Sequence, residues 1–454
     1  MTFVVRSERI VLPDGVRAAS IYVDAERIAR IAPYDEQPAG VQTLDVGELA
    51  VLPGLIDTHV HMNDPGRTDW EGFEHATRAA AAGGVTTLVD MPLNSIPSTT
   101  SVAALEAKRK AAEGRCHVDV GFWGGVVAGN TEDLEPLARA GVLGFKCFLC
   151  PSGVEEFSHA TENDLRAALP VLSRLALPLL AHAELPAFLR DSSAADIAYR
   201  RRYSTWLASR PAAAEHAAID LLARLAREYS ARVHIVHLAS ADALPVIAEA
   251  RAAGVSLTAE TCPHYLTFAA EDIPDGATAF KCAPPIRERE QQERLWRGLA
   301  GGEIDLVATD HSPSPPSLKC LDDGDFARAW GGIASLQIGL AAVWTGAVSR
   351  GASLQQLAEW MSAAPARLAG LHHVKGGITV GHDADLVIWD PDATSVVDGA
   401  ALFHRHSVTP YGGMRLRGEV RTTILRGHVV FDRGECVGPA TGRLLKREMA
   451  PFLN

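Results

Sequence analysis

Short apolar segments alternate with Ala-, Leu- and Arg-rich helical stretches through the middle of this chain, and that alternation restricts the available folds more than any other feature. Candidate strands end near His59, Asp90, Trp123, Phe148, His182, His237, Thr261 and Asp310. Strands interleaved with helices are the mark of a parallel sheet. Eight such units predict an α/β fold closed into a (β/α)8 barrel of the TIM type, whose chemistry sits at the C-terminal strand ends. An open doubly wound sheet is the rival architecture. It would normally carry a Gly-rich nucleotide loop after an early strand, and the sequence has none.

Both ends of the chain read differently. Thr2 to Val5, Arg9 to Leu12 and Ala19 to Val23 are predicted strands, with Pro13-Asp14-Gly15 as a turn. Near the other end, Ala384 to Trp389, Arg421 to Leu425 and His428 to Phe431 are predicted strands, with Leu425-Arg426-Gly427-His428 as a hairpin corner. The two sets are expected to combine into one small β-sandwich domain. At 454 residues the chain exceeds an ordinary single core, so the expected division is 1–51 and 366–454 for the small domain and 52–365 for the barrel.

Composition narrows the partners. A net charge of -12 opposes binding to nucleic acid or an anionic membrane, because phosphate recognition needs a basic surface. Seven scattered cysteines lack the density of a disulfide scaffold and suit reduced thiols in the cytoplasm. Cys147 and Cys150 form a C-x-x-C without a second pair at zinc-finger spacing, so two packed thiols are expected there. Met1 to Arg9 holds no apolar signal core, and no uncharged run reaches membrane-spanning length.

The chemistry is carried by polar residues at the predicted strand ends. Gly54-Leu55-Ile56-Asp57-Thr58-His59-Val60-His61 closes the first barrel strand with two imidazoles at i and i+2. Side chains alternate along a strand, so both rings project from one face and form a natural pair for a divalent cation. Lys146 lies on the fourth strand, His182 ends the fifth, His237 the sixth, and Asp310 the eighth. Each alone reads best as a structural residue or turn former; together they share one address at the barrel mouth. His234 competes with His237, three residues apart and on opposite faces, and His237 stands nearer the rim. An unmodified ammonium at Lys146 conflicts with neighbouring metal ions, and a modified lysine would remove the conflict.

Several motifs in order resemble the amidohydrolase superfamily, and within it the cyclic amidases, over nearly the whole chain. They are Pro53 to His61, Gly66-Arg67-Thr68-Asp69-Trp70-Glu71-Gly72-Phe73, Gly83 to Ser95, Gly144-Phe145-Lys146, Glu260-Thr261-Cys262-Pro263-His264-Tyr265-Leu266, Lys281-Cys282-Ala283-Pro284-Pro285-Ile286-Arg287, and Thr309-Asp310-His311-Ser312-Pro313. The resemblance is nearest to members that open allantoin. It implies two divalent ions, zinc first, although cobalt, manganese and iron accept the same ligands. It also implies a CO2-derived carbamate on Lys146 bridging them. His59, His61 and Asp310 would hold the more buried ion, and His182 and His237 the more exposed one.

By the same resemblance, a hydroxide shared by the metals attacks a ring carbonyl while Asp310 moves the proton to the leaving nitrogen. Asn63 stands where dihydroorotases place an arginine for the substrate carboxylate, which favours an uncharged ureide. Pro151 replaces the tyrosine that hydantoinases and dihydropyrimidinases use as an oxyanion donor, leaving metal, backbone or a neighbour such as Ser152 for that role. Asn63, Asn94, Cys282, Ala283, Ser314 and Ser317 are candidate ring-binding positions, with Trp330-Gly331-Gly332 as a further rim element. Many relatives carry a cysteine at the position of Ser314. His264 and His311 are expected behind the ligands rather than among them. The expected substrate is allantoin, followed by hydantoin or a dihydropyrimidine, with dihydroorotate last. A catalytically silent scaffold would have lost ligands, and all six are present. Self-association as a dimer or tetramer is the expected assembly.

Overall fold

The computed structural model describes residues 3–36 and 40–447. The chain begins with five strands, β1 (Phe3–Leu12), β2 (Gly15–Asp24), β3 (Arg27–Pro33), β4 (Gln42–Asp45) and β5 (Ala50–Pro53). Nine strands of the barrel region follow: β6 (Leu55–Val60), β7 (Val85–Asp90), β8 (Asp119–Phe122), β9 (Gly124–Gly125), β10 (Phe145–Phe148), β11 (Leu179–His182), β12 (Val233–Ile235), β13 (Leu257–Thr261) and β14 (Leu306–Val307). The last four strands are β15 (Leu386–Val396), β16 (Arg415–Leu425), β17 (His428–Asp432) and β18 (Glu435–Cys436).

The barrel closes as the alternation predicts. β6, β7 and β8 pair in parallel, and β9 to β14 form a second parallel run. Leu143 donates its N–H to the carbonyl of Phe122 at 3.0 Å across the first seam, and His61 donates to the carbonyl of His311 at 2.9 Å across the last. Val60 and His311 form a parallel bridge there. Helices such as Phe73–Ala82 pack their buried alanines against the strands, and Glu162–Arg174 starts from a reciprocal cap between Thr161 and Asp164. Gly54 opens the β6 motif because nothing larger fits: a Cβ there would lie 2.2 Å from Thr86 Oγ1.

The terminal strands assemble into one continuous sheet in the order β18-β17-β16-β15-β5-β1-β2-β3, with β4 on the other half of β1's edge. Both termini join in one β unit as expected, but their strands pair into a single sheet where a sandwich was expected. Where two strands were expected before Pro13, β1 runs unbroken from Phe3, and Thr2 lies outside the described residues. Its register slips between Ser7 and Ile10, where Ser7 Oγ accepts from the N–H of Arg9 at 2.8 Å. This bulge absorbs the break in hydrophobic pattern without ending the strand. The corner between β16 and β17 is as expected: Arg426 and Gly427 both have positive φ, the backbone of a tight primed hairpin turn.

One buried charge cluster ties the sheet to the barrel. Lys375 Nζ lies 2.9 Å from Asp119 of β8, 3.0 Å from Asp383 and 2.6 Å from Asp385, and Arg426 closes on Asp119 from the hairpin corner. All these side chains are nearly inaccessible, so removing the lysine strands carboxylates in a poorly solvating interior. Lys375→Met is expected to cost about 3–5 kcal/mol of stability by denaturant unfolding. A loss below about 1 kcal/mol, the range of exposed pairs, would contradict that account.

Candidate active site

The strand ends converge at the C-terminal mouth of the barrel, and the polar side chains there are buried. His59 projects from β6 and His61 follows it. The Nε2 atoms of the two rings lie 3.2 and 3.4 Å from Asp310 Oδ1. His182 ends β11, and its Nδ1 lies 3.0 Å from His237 Nε2, two residues beyond the end of β12. Asp310 stands three residues beyond β14. Both His237 and Asp310 sit at positive φ, of 40° and 46°, a strained left-handed backbone that clusters at functional sites.

Carboxylates behind the rings orient them. His59 Nδ1 hydrogen-bonds Glu260 Oε1, while His234 Nε2 lies 3.0 Å from Glu260 Oε2. His182 Nε2 is 2.7 Å from Glu184, which is itself paired with Arg210. With the protons on those outer nitrogens, His59 Nε2 and His182 Nδ1 turn bare lone pairs towards the centre. Burial alone would raise both acids, but His59 and His234 hold Glu260 at about 2, and Arg210 with His182 does the same for Glu184. Burial likewise favours protonated Asp310, and the surrounding His59, His61 and His237 outweigh it to keep the carboxyl well below its usual range. Asp57 links β6 to the loop after β14, accepting from Thr309 and from the N–H of His59 at 3.1 Å.

Lys146 is the exception in this network. Its Nζ is buried without a hydrogen-bond partner among the described residues, and burial pushes its pKa down to about 8, against the pull of Glu260 and Asp310. His237 Nδ1 is similarly unpartnered. Bare imidazole nitrogens and an ionised carboxylate around one space are a donor set suited to divalent cations, beside which an unmodified Lys146 ammonium would be out of place. His59, His61 and Asp310 offer ligand atoms that all lie within 4.8 Å of one another.

These groups open into a cleft of about 350 Å³. Among the expected ring-binding positions, Asn94, Cys282 and Ala283 line it, as do Trp330, Gly331 and Gly332. Others do not. Asn63 is buried with its amide donating to the carbonyl of Pro313 at 3.3 Å, and Ser314 is buried with its hydroxyl unpartnered. Ser317 faces a separate groove with Pro316, Cys320 and Leu321, because the Pro-rich loop after β14 turns it away. Pro151 and Ser152 reach the cleft, but the Ser152 hydroxyl donates to the carbonyl of Phe157 at 2.6 Å and is not free as an oxyanion donor. His311 is held by structural contacts: Ser335 and Leu336 donate N–H groups to its Nδ1, and Glu71 lies 3.2 Å from its Nε2, whereas both ring nitrogens of His264 are buried without a hydrogen-bond partner among the described residues.

Glu260, Glu184, Arg210 and Asp57 are the functional neighbours that sequence reading passed over. Glu184 stands two residues after His182 and Glu260 opens a recognised motif, so alternation from a candidate ligand was the available signal.

Residues 50–430 match the amidohydrolase family. The chain belongs to it. Among amidohydrolases of curated sequence, an allantoinase from Streptomyces avermitilis is 53% identical, with 98% of each chain covered. An allantoinase from Arabidopsis thaliana is 46% identical over 97% of this chain and 90% of that protein. Of solved amidohydrolase folds, an L-hydantoinase (dihydropyrimidinase) from Arthrobacter aurescens superposes with a TM-score of 0.91 at 30% identity, covering 98% of this chain and all (100%) of that one. The family is metal-dependent, and histidine and aspartate groups able to hold a metal are present in this member.

Burial pushes His264 down to about 4 and His311 to about 3. Both values lie below the unfolded value of about 6.5, so the unfolded chain binds protons first as pH falls. Stability that is full above about pH 6.5 is therefore lost towards the folded values, by about 1.4 kcal/mol per pH unit for each ring. Denaturant midpoints at pH 7 and pH 5 test this, and equal midpoints would contradict it.

Proposed function

We propose that this protein is an allantoin-opening hydrolase, cleaving the cyclic amide of the hydantoin ring to give allantoate within purine catabolism. Near full-length likeness to curated allantoinases is the observation that carries the substrate. The cleft is compatible with it: among the described residues Asp310 is the only carboxylate that lines it, and position 63 holds asparagine rather than arginine.

His59, His61 and Asp310 would hold one ion, and His182 and His237 the other, with a carbamate on Lys146 between them. When bound, two divalent ions, zinc foremost, would supply a water acidic enough to ionise near neutral pH and would polarise the scissile carbonyl. Every other step belongs to the chain. Lys146 meets the requirement for carbamate formation, because burial leaves part of its amine neutral and nucleophilic near neutral pH. Glu260 and Glu184 fix the imidazole tautomers. Asp310 takes the proton from the attacking water and delivers it to the ring nitrogen as the C–N bond breaks, leaving a carboxylate and a ureido group. Ser312 Oγ, 3.0 Å from Asp310 Oδ1, steadies that carboxylate.

We further propose the division at 51/52 and 365/366, assembly as a dimer or tetramer, and residence in the cytoplasm. No helix among the described residues is long and apolar enough to cross a membrane.

Allantoin, hydantoin, dihydrouracil and dihydroorotate offered in parallel decide the substrate. The highest kcat/KM is expected for allantoin, and preference for hydantoin would favour the hydantoinase reading instead. Asp310→Asn is expected to keep part of its metal and lose roughly 10²–10⁴-fold in kcat, and unimpaired turnover would remove its role. Apoprotein reloaded with zinc in CO2-free buffer is expected to regain less activity than with bicarbonate, and equal recovery would remove the carbamate.

A further inference from the structure

Two buried lysines outside the ligand set converge on one wall of the cleft. Lys281 Nζ donates to the carbonyl of Ala329 at 2.5 Å and of Ala327 at 3.3 Å. Lys319 Nζ donates to the carbonyl of Trp330 at 3.3 Å and also to that of Gly332. Both side chains are almost inaccessible, and neither ammonium forms an ion pair among the described residues. An isolated buried cation is costly, so their placement calls for a local cause.

The neighbouring backbone joins the same wall. Gly332 donates its N–H to the carbonyl of Lys281 at 2.8 Å, and Trp330 donates to that of Leu318 at 2.7 Å. Lys281 Nζ also lies 4.3 Å from the centre of the Trp206 ring, whose Nε1–H donates to the carbonyl of Cys282 at 3.0 Å. Lys281 thus connects residues 327–332 to Trp206 and Cys282, both of which line the cleft. Gly332 has φ of 117°, and a Cβ there would lie 2.3 Å from the carbonyl oxygen of Ser312. The segment is pinned at that point.

We infer that Lys281 and Lys319 are positioning residues for ring recognition, setting residues 327–332 as one wall of the substrate cleft by engaging their main-chain carbonyls. With those carbonyls engaged, the N–H of Gly331 is left without an acceptor among the described residues and is available to the ring. The inference rests on the ring-opening reading of the cleft. A wall already held in its binding conformation spares the cost of ordering it when the ring enters, so the lysines act on substrate affinity.

Lys281→Met and Lys319→Met keep side-chain length and remove the donors. Each is expected to raise KM for allantoin about tenfold or more, with kcat within about threefold of the parent and metal content unchanged. Lys319→Gln restores an N–H donor and is expected to recover part of the lost affinity. A KM within about twofold of the parent, whatever the melting temperature, would overturn the inference, as would joint loss of kcat and metal at constant KM. Should the methionine variants fail to fold, amide exchange in the parent protein decides: hydantoin is expected to protect residues 327–332, and unchanged exchange overturns the proposal. Absence of parent turnover on all four cyclic amides would sink the ring-opening reading and this one together. Normal parent turnover with unchanged variant KM sinks this one alone.

Discussion

The carboxylate of Glu260 is the contact on which the rest of the site depends. It is fully buried on β13, and its oxygens engage His59 from β6 and His234 from β12, while the N–H of His237 lies 3.3 Å from Oε1. One side chain therefore sets the ring of one candidate ligand and the backbone of another on different strands. An ionised carboxylate in such a place is tolerable only when every oxygen is matched by a donor. The reciprocal constraint is that each donor must then point where Glu260 requires, leaving the lone pairs of the rings aimed at the centre.

Barrel closure supplies the geometry that this contact refines. Asp57 crosses the last seam to Thr309, and Lys108 Nζ donates to Asp90 at 2.6 Å and to the carbonyl of Met91 at 2.7 Å behind β7. No described residue of the terminal sheet lines the cleft. The Lys375 cluster is one of its connections to the barrel, alongside Thr423 Oγ1, which donates to the carbonyl of Ala81, and Trp344 Nε1, which donates to that of Pro391. Stability and reactivity are thus assigned to different buried charges: those around Lys375 are mutually compensated, while Lys146 lacks a partner.

Two kinds of buried lysine lie near the cleft. Lys146 has no hydrogen-bond acceptor among the described residues. Lys281 and Lys319 have carbonyl acceptors and shape a wall. Asn94, Cys282 and Ala283 share the cleft with that wall. Ser317 illustrates the limit of proximity in sequence: it lies within eight residues of Asp310 and faces a separate groove.

The barrel, the joining of both termini in one β unit, and the positions that gather at the barrel mouth were all legible in the sequence. Strand period, helix alternation and residue chemistry are local properties, and they place His59, His61, Lys146, His182, His237 and Asp310 at strand ends without any coordinates. Continuity of β1 through Ser7 was not legible, because a bulge preserves pairing while breaking the pattern. Nor were the partners of Glu260 and Glu184, the inward turn of Asn63 towards Pro313, or the carbonyls taken by Lys281 and Lys319. Sequence determined which groups are available and on which face each stands. Tertiary structure alone decided which of them meet, because hydrogen-bond partners far apart along the chain are selected by the closure of the barrel and the course of its loops.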